Sequence, residues 1–387
     1  MKEAIRNILN VWYGELRQVI HDEGLLIFLL LVPLGYPALY SFIYNNEAVR
    51  EVPLAVVDEC HSRQSREFVR KVDATAECAV LYYTDMAGAR ELMRREQVYA
   101  ILRIPSTFDC DLSRGDQTYI GFYSDMRCML YYKSALLASS LVSLDMNHNI
   151  KVSQHIKGTT NRQEEISRLP IRYSYIPFYN PQSGFASFLI PAVLMLIIQQ
   201  LMFLSVGMSQ AACRERGTAT VVPLRGGAGL QTVSLLTGKT VFYFLWFLLV
   251  ALFMYAGITR FFALPSLGDY ATFLAFVTPY ILACIFLSVT LSFFIVQRED
   301  VMMLFVFMSV PLLFLAGMSW PVAAEPRMWR AVSWLFPSTF GMHGYVRIMG
   351  TGATLHEVAM EYRALWIQCA VYAFTAFLAA YRRLRRV

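Results

Sequence analysis

Long apolar runs dominate the chain. Crossing ~30 Å of hydrocarbon takes ~20 mostly apolar residues. Six segments read as spans: 24–44, 183–208, 240–258, 271–296, 301–318 and 364–381. None of them contains Asp, Glu, Lys, Arg or His. The segment 301–318 is the weakest, because it is short and follows the tight polar break 297–300. It reads with its predecessor as a helical hairpin. Ahead of the first run, Ile5, Ile8, Leu9, Trp12, Leu16 and Val19 recur at helical spacing among Lys2, Arg6, Glu15 and Arg17. That is the pattern of an amphipathic helix at a membrane surface, over residues 1–23. The first run is too long for the core of a signal peptide, and Asp22 and Glu23 spoil the basic stretch before it. It is expected to remain as an anchor.

Between residues 45 and 182 the pattern changes. Strand-like runs at 52–57, 79–83, 100–104 and 118–123 alternate with helical patterns at 65–72 and 86–95, and one long helix is expected from 129 to about 152. Such alternation predicts a small α/β domain with a partly parallel sheet. Residues 164–180 return the chain to the second run through two proline-bounded segments.

Composition narrows the class. Of 387 residues, 56% are hydrophobic and 16% charged, with a mean hydropathy of +0.43; soluble domains carry about 25% charged residues. A soluble enzyme of this size could not hide so much apolar surface. Residues 45–182 hold 17 basic and 17 acidic side chains, so the whole net charge of +6 sits in the apolar remainder. There it flanks the spans. Lys2, Arg6 and Arg17, then Arg214, Arg216, Arg225 and Lys239, then Arg298, then Arg382, Arg383, Arg385 and Arg386 all fall on one side if both termini are cytoplasmic. Arg327, Arg330, Arg347 and Arg363 are exceptions to that rule. No nucleic-acid patch is called for.

Catalytic and metal motifs are absent from the sequence, and no cofactor is expected. The six histidines are scattered. Thr237-Gly238-Lys239-Thr240 imitates a phosphate loop, but Val233 stands where that loop needs Gly. Lys239 reads instead as a lysine snorkelling from the start of a span. The spans carry no charge that could couple transport to an ion gradient, so uphill movement would draw its energy from another subunit. Gln199 and Gln200 are candidates to line a path, or to hydrogen-bond between helices. Cys60, Cys78, Cys110 and Cys128 lie in the 45–182 domain; they are either free thiols or disulfides in one of three connectivities. Of the pairings, Cys60–Cys78 and Cys110–Cys128 would each close a short loop.

Several local motifs have a familiar layout. Val56-Val57-Asp58-Glu59 with Ser65-Arg66, Ala100 to Pro105 with Phe108, Arg214-Glu215-Arg216-Gly217-Thr218 with Gly238-Lys239, Ala316-Gly317 through Pro321, and Phe336-Pro337 through Arg347 resemble the ABC-2 type exporter permease family. The likeness covers nearly the whole chain. The cytoplasmic loop departs from the family's pattern after Gly-Thr, where Ala219 and Val222-Pro223 replace an acid and Thr-Pro. The expected fold is an α-helical polytopic membrane protein with six transmembrane helices and an inserted extracytoplasmic α/β domain between the first and second. The resemblance implies a permease subunit that is not itself an enzyme, working with separate ABC ATPase subunits and a second permease chain. A periplasmic adaptor and membrane lipid complete the implied partners. The implied setting is the bacterial inner membrane, and the substrate a lipid, glycan, drug or other envelope-directed compound. The alternative is a membrane-anchored envelope interaction protein whose external domain binds a partner. In the loop 209–239, Arg214, Glu215, Arg216, Gly217 and Thr218 are the expected ATPase contact, with the Gly226-Gly227-Ala228-Gly229 run turning the chain around a short helix. The aromatic-rich hairpin 319–350 is expected to dip into the outer leaflet. It would line an outer gate at Trp334, Pro337, Ser338 and Thr339, or else form an interfacial cap.

Overall fold

The structure is a computed structural model. It describes residues 2–44, 49–114, 116–155, 179, 184–218, 220–264, 266–318, 320 and 324–385. The expected return segment 164–180 falls almost wholly outside these residues, as do the junction 181–183 and Pro321 of the hairpin. The chain divides into two compact units: Met1–Glu47 with Pro177–Val387, and Ala48–Ile176.

The first unit begins with helix α1 (Lys2–His21), whose buried face lies beside its apolar stripe, with Trp12, Leu16 and Val19 at the border between them. Asn7, Val11, Gly14, Glu15, Gln18 and Val19 are buried, whereas Ile5, Leu9, Tyr13 and Ile20 are exposed. Asp22 then breaks the helix and starts the next, its carboxylate accepting from the Leu25 amide. Helix α2 (Glu23–Ile43) is apolar and mostly exposed. Its Pro33 and Pro37 each withhold an N–H, and the turn just before them, Ile27–Leu31, widens to π geometry.

The second unit is a four-stranded sheet in the order β2-β1-β3-β4. Strands β1 (Val52–Asp58), β2 (Cys78–Tyr83) and β3 (Ala100–Ile104) are parallel, and β4 (Gly121–Ser124) joins the edge antiparallel. The crossovers are α3 (Arg63–Asp73) and α4 (Met86–Arg94). Helices α5 (Phe108–Arg114) and α6 (Met129–His155) flank β4 in sequence. Because β1 is covered on both faces, it reads as a continuous apolar run. Val52, Leu54 and Val56 pack under α3 and α6, while Ala55 and Val57 pack with Ala89 of α4. Asp58 ends the strand and organises the turn. One carboxylate oxygen accepts from the amides of Cys60 and His61, and the other takes the Ser65 hydroxyl at 2.7 Å.

The sheet overturns the two short-loop cysteine pairings. Cys78 lies opposite Val52 at the start of β1, but Cys60 follows the far end of that strand, about 20 Å away at ~3.3 Å per residue. Ser124 lies opposite Ala100, so Cys128 sits near the start of β3 and Cys110 beyond its end. Bridging requires Cα atoms within about 7 Å. All four are free thiols.

The first unit resumes with α7 (Phe185–Glu215), the hub of its core, of whose apolar window 94% is buried against 22% for α2. Around it lie α8 (Ala228–Phe261), α9 (Tyr270–Ser292), α10 (Arg298–Leu315), α11 (Arg327–Ser333), α12 (Pro337–Thr351) and α13 (Ala359–Leu384). Among the described residues, five helices are long and apolar enough to cross a membrane: α2, α7, α8, α9 and α13. The expected segment 301–318 lies mostly in α10, whose 18 residues include Arg298, Glu299 and Asp300 in the first turn; three charges in its first turn set this helix apart from the other five. The hairpin forms two helices, an exposed α11 and a buried α12. Gly344 lets α12 approach α9, since a Cβ there would lie 2.1 Å from the Phe276 ring.

Two measurements test this packing. Gly344→Ala should lower thermal stability in detergent by about 1–3 kcal/mol through overpacking, while Gly350→Ala, which meets nothing within 4 Å, should not. Burial, and then the Glu77 carboxylate, push the Cys78 thiol up to about 11. Maleimide attacks the thiolate, so on unreduced protein at pH 8 exposed Cys110 should label fully and Cys78 only as the pH approaches 11.

Candidate functional site

Helix α1 is fastened to α7 and α8 by polar groups that have no access to water. Glu15 is 0% exposed and Lys239 3%. The Lys239 Nζ lies 3.0 Å from Glu15 Oε1 and also reaches Gln210 Oε1 at 3.4 Å. The second carboxylate oxygen of Glu15 accepts from the Ser209 hydroxyl at 2.8 Å and the Tyr243 hydroxyl at 3.0 Å. Beside it, Gln18 donates to the Ser209 carbonyl. Lys239 is therefore a buried ion-pair partner rather than a snorkelling lysine. Its neighbour Gly238 allows the close fit, because a Cβ there would sit 2.9 Å from the Ile8 carbonyl.

The residues singled out in the sequence straddle the end of α7, with Arg214 and Glu215 in the helix and Arg216, Gly217 and Thr218 after it. Gly217 has φ +70°. Its amide donates to Arg214 O, and that of Thr218 donates to Cys213 O. This is the Schellman ending of a helix, which requires a left-handed residue at Gly217. The Thr218 hydroxyl also bonds the Cys213 carbonyl. Arg214 donates to the Phe293 carbonyl at the end of α9, and Arg216 to the Ala212 carbonyl. Glu215 pairs with Arg298 at 3.0 Å, and Arg298 also holds Asp22 at 2.9 Å. The starts of α2 and α10 and the end of α7 thus meet at one guanidinium. No helix lies between Glu215 and Ala228 among the described residues, in place of the short one expected. Bonds between Asn7 and the Arg225 backbone hold the loop against α1 instead.

The expected gate residues converge at the start of α12. Pro337 occupies its first turn, where a missing N–H costs nothing. The Ser338 amide donates to Gln199 Oε1 at 2.7 Å, so a side chain in the middle of α7 caps α12. Ser338 and Thr339 are buried, and the Thr339 hydroxyl bonds the Ser333 carbonyl. Trp334 is exposed, and its carbonyl accepts from Gln368. Gln200 faces elsewhere. It lines a cavity of about 290 Å³ with Phe28, Val32, Tyr36 and Tyr40 of α2 and Phe305 and Ser309 of α10, and its buried Nε2 has no partner.

Among the described residues, no group of His, Cys, Asp and Glu could hold a metal ion. A family profile described as ABC-2 family transporter protein matches residues 24–378. The chain belongs to the ABC-2 transporter family. A search of curated proteins finds no match. As an ABC-2 family member it is a membrane protein of the transporter type, and such chains generally serve as the permease of an ABC exporter alongside ABC ATPases. In this ABC-2 protein, Glu15, Gln18, Ser209, Tyr243 and Arg298 are the functional candidates that the pattern of residues did not single out. Asn7, Glu15 and Gln18 do share one helical face, a weak signal masked by the apolar stripe beside it.

Breaking a buried ion pair from one side leaves an uncompensated charge and costs about 3–5 kcal/mol. Glu15→Ala should therefore cut the thermal stability and yield of the detergent-solubilised protein. The double variant Glu15→Gln with Lys239→Met should recover most of that loss.

Proposed function

We propose that this chain is the permease half of an ATP-driven exporter that moves a lipid, glycan, drug or other envelope-directed compound out of the bacterial cytoplasm. The family match over residues 24–378 carries the reading. In this reading α10 is the sixth span; its 18 residues reach ~27 Å at 1.5 Å per residue, close to the ~30 Å of hydrocarbon. The Arg298 junction supports a common cytoplasmic level for the starts of α2 and α10 and the end of α7. Both termini lie on that side, and the α/β unit lies outside. Two copies, or this chain and a paralogue, form the pathway, with the Gln200 cavity along it.

ATPase subunits dock on the exposed residues Glu215, Arg216, Gly217 and Thr218, with Arg214 behind them. The force of ATP-driven closure passes through the joint of α1, α7 and α8, which is stiff because its charges are buried and paired. Glu215 is the discriminating residue, since its partly exposed pair with Arg298 contributes only ~0–1 kcal/mol to folding. Glu215→Ala should keep its stability yet lose co-purifying ATPase, by about 2 kcal/mol or more of association free energy if the carboxylate is an interface contact. Arg298→Ala should keep the ATPase. If Glu215→Ala co-purifies ATPase normally and exports normally, the docking site is wrong and Glu215 serves only Arg298.

A further inference from the structure

The α/β unit contains a cavity of about 630 Å³ between the β3–β4 edge of the sheet and helices α5 and α6. Small-molecule sites fall in the same range of roughly 300–1,000 Å³. One wall is apolar and the other carries polar groups among apolar ones. The sheet and α5 supply Leu102, Phe122 and Phe108, an apolar surface. Helix α6 supplies Leu136, Leu144 and Met146, and among them Ser139, Ser143 and Asn147, which recur every four residues and so share one face. Thr118, just before β4, completes the polar side.

Two of these polar groups lack partners. Ser139 is only 7% exposed, and neither its hydroxyl nor the buried hydroxyl of Thr118 makes a hydrogen bond. A buried hydroxyl without a bond costs about 1–3 kcal/mol, so an unsatisfied pair facing one cavity points to a ligand. Each hydroxyl can donate and accept, which suits another hydroxyl or an amide. Asp116 is the sole charged residue among those lining the cavity, so an anionic group would find no counter-charge there.

We infer that this cavity binds an uncharged amphiphile, with its apolar body against Leu102, Phe108 and Phe122 and its hydroxyl or amide groups on Thr118, Ser139 and Ser143. The site is independent of the ATPase-docking reading.

The test uses the full-length protein in lipid nanodiscs and hydrogen-exchange mass spectrometry over residues 116–124 and 136–150. Octyl glucoside below its micelle concentration is the probe, and glucose, octanoate and octyltrimethylammonium are the comparators. Octyl glucoside at ten times its Kd should slow exchange in both segments about tenfold, and none of the three comparators at the same concentration should do so. Ser139→Ala should weaken binding about fivefold, the worth of one hydrogen bond. Ser143→Phe should obstruct the polar side of the cavity and abolish protection. No protection by octyl glucoside would overturn the site. Equal protection by octanoate or octyltrimethylammonium would overturn the uncharged class, and equal protection by glucose would overturn the amphiphile. Undiminished binding by Ser139→Ala would remove the orphan hydroxyl from the argument and overturn the placement.

Discussion

A carboxylate and an ammonium group shut away from water must be neutralised by each other and by hydrogen bonds, because the cost of leaving either alone is several kcal/mol. Glu15 and Lys239 impose that constraint on the membrane unit. Meeting it requires α1 to turn its polar face inward, Ser209 and Tyr243 to aim at the same oxygen, and the chain after α7 to stop and fold back beneath α1. The Schellman ending at Gly217 supplies the stop. Asn7 bonding the Arg225 backbone supplies the return.

The same logic recurs in the bundle with neutral groups. A helix that starts inside a core presents first-turn amides that its own backbone ladder leaves unpaired. Helix α12 is such a helix, and Gln199 supplies the missing acceptor. Gln200, one residue on, points its amide into a cavity instead. Adjacent and chemically identical side chains thus take different roles, one as a helix cap and one as a free donor, because a helix turns ~100° per residue.

The apolar runs and the strand–helix alternation were legible in the sequence because each element writes its own period into the chain. The parallel strands β1 to β3, the long helix α6 and the five strongly apolar spans follow from that. Orientation was less legible. The apolar stripe of α1 marked a membrane-surface helix, but nothing local showed that burial would follow Asn7, Glu15 and Gln18 on the neighbouring face, whose partners lie some 190 residues or more away. Cysteine pairing was open between free thiols and three connectivities, and the sheet register removes the two short-loop bridges, with Cys78 at one end of β1 and Cys60 beyond the other. Arg214, Glu215 and Gly217 were noticed for a partner's sake, yet each also has work within the chain, in ending α7 or in joining helices, that local sequence could not reveal.

The long separation between Glu15 and Lys239 also fixes an order of events during synthesis. Glu15 is made first, and its cationic partner Lys239 emerges more than two hundred residues later, after the first apolar helix, the whole α/β unit and α7. Until then α1 cannot seat in its final place, because its inward face would bury an unanswered carboxylate. The N-terminal helix therefore waits, with its polar face in water, for the middle of the chain to arrive.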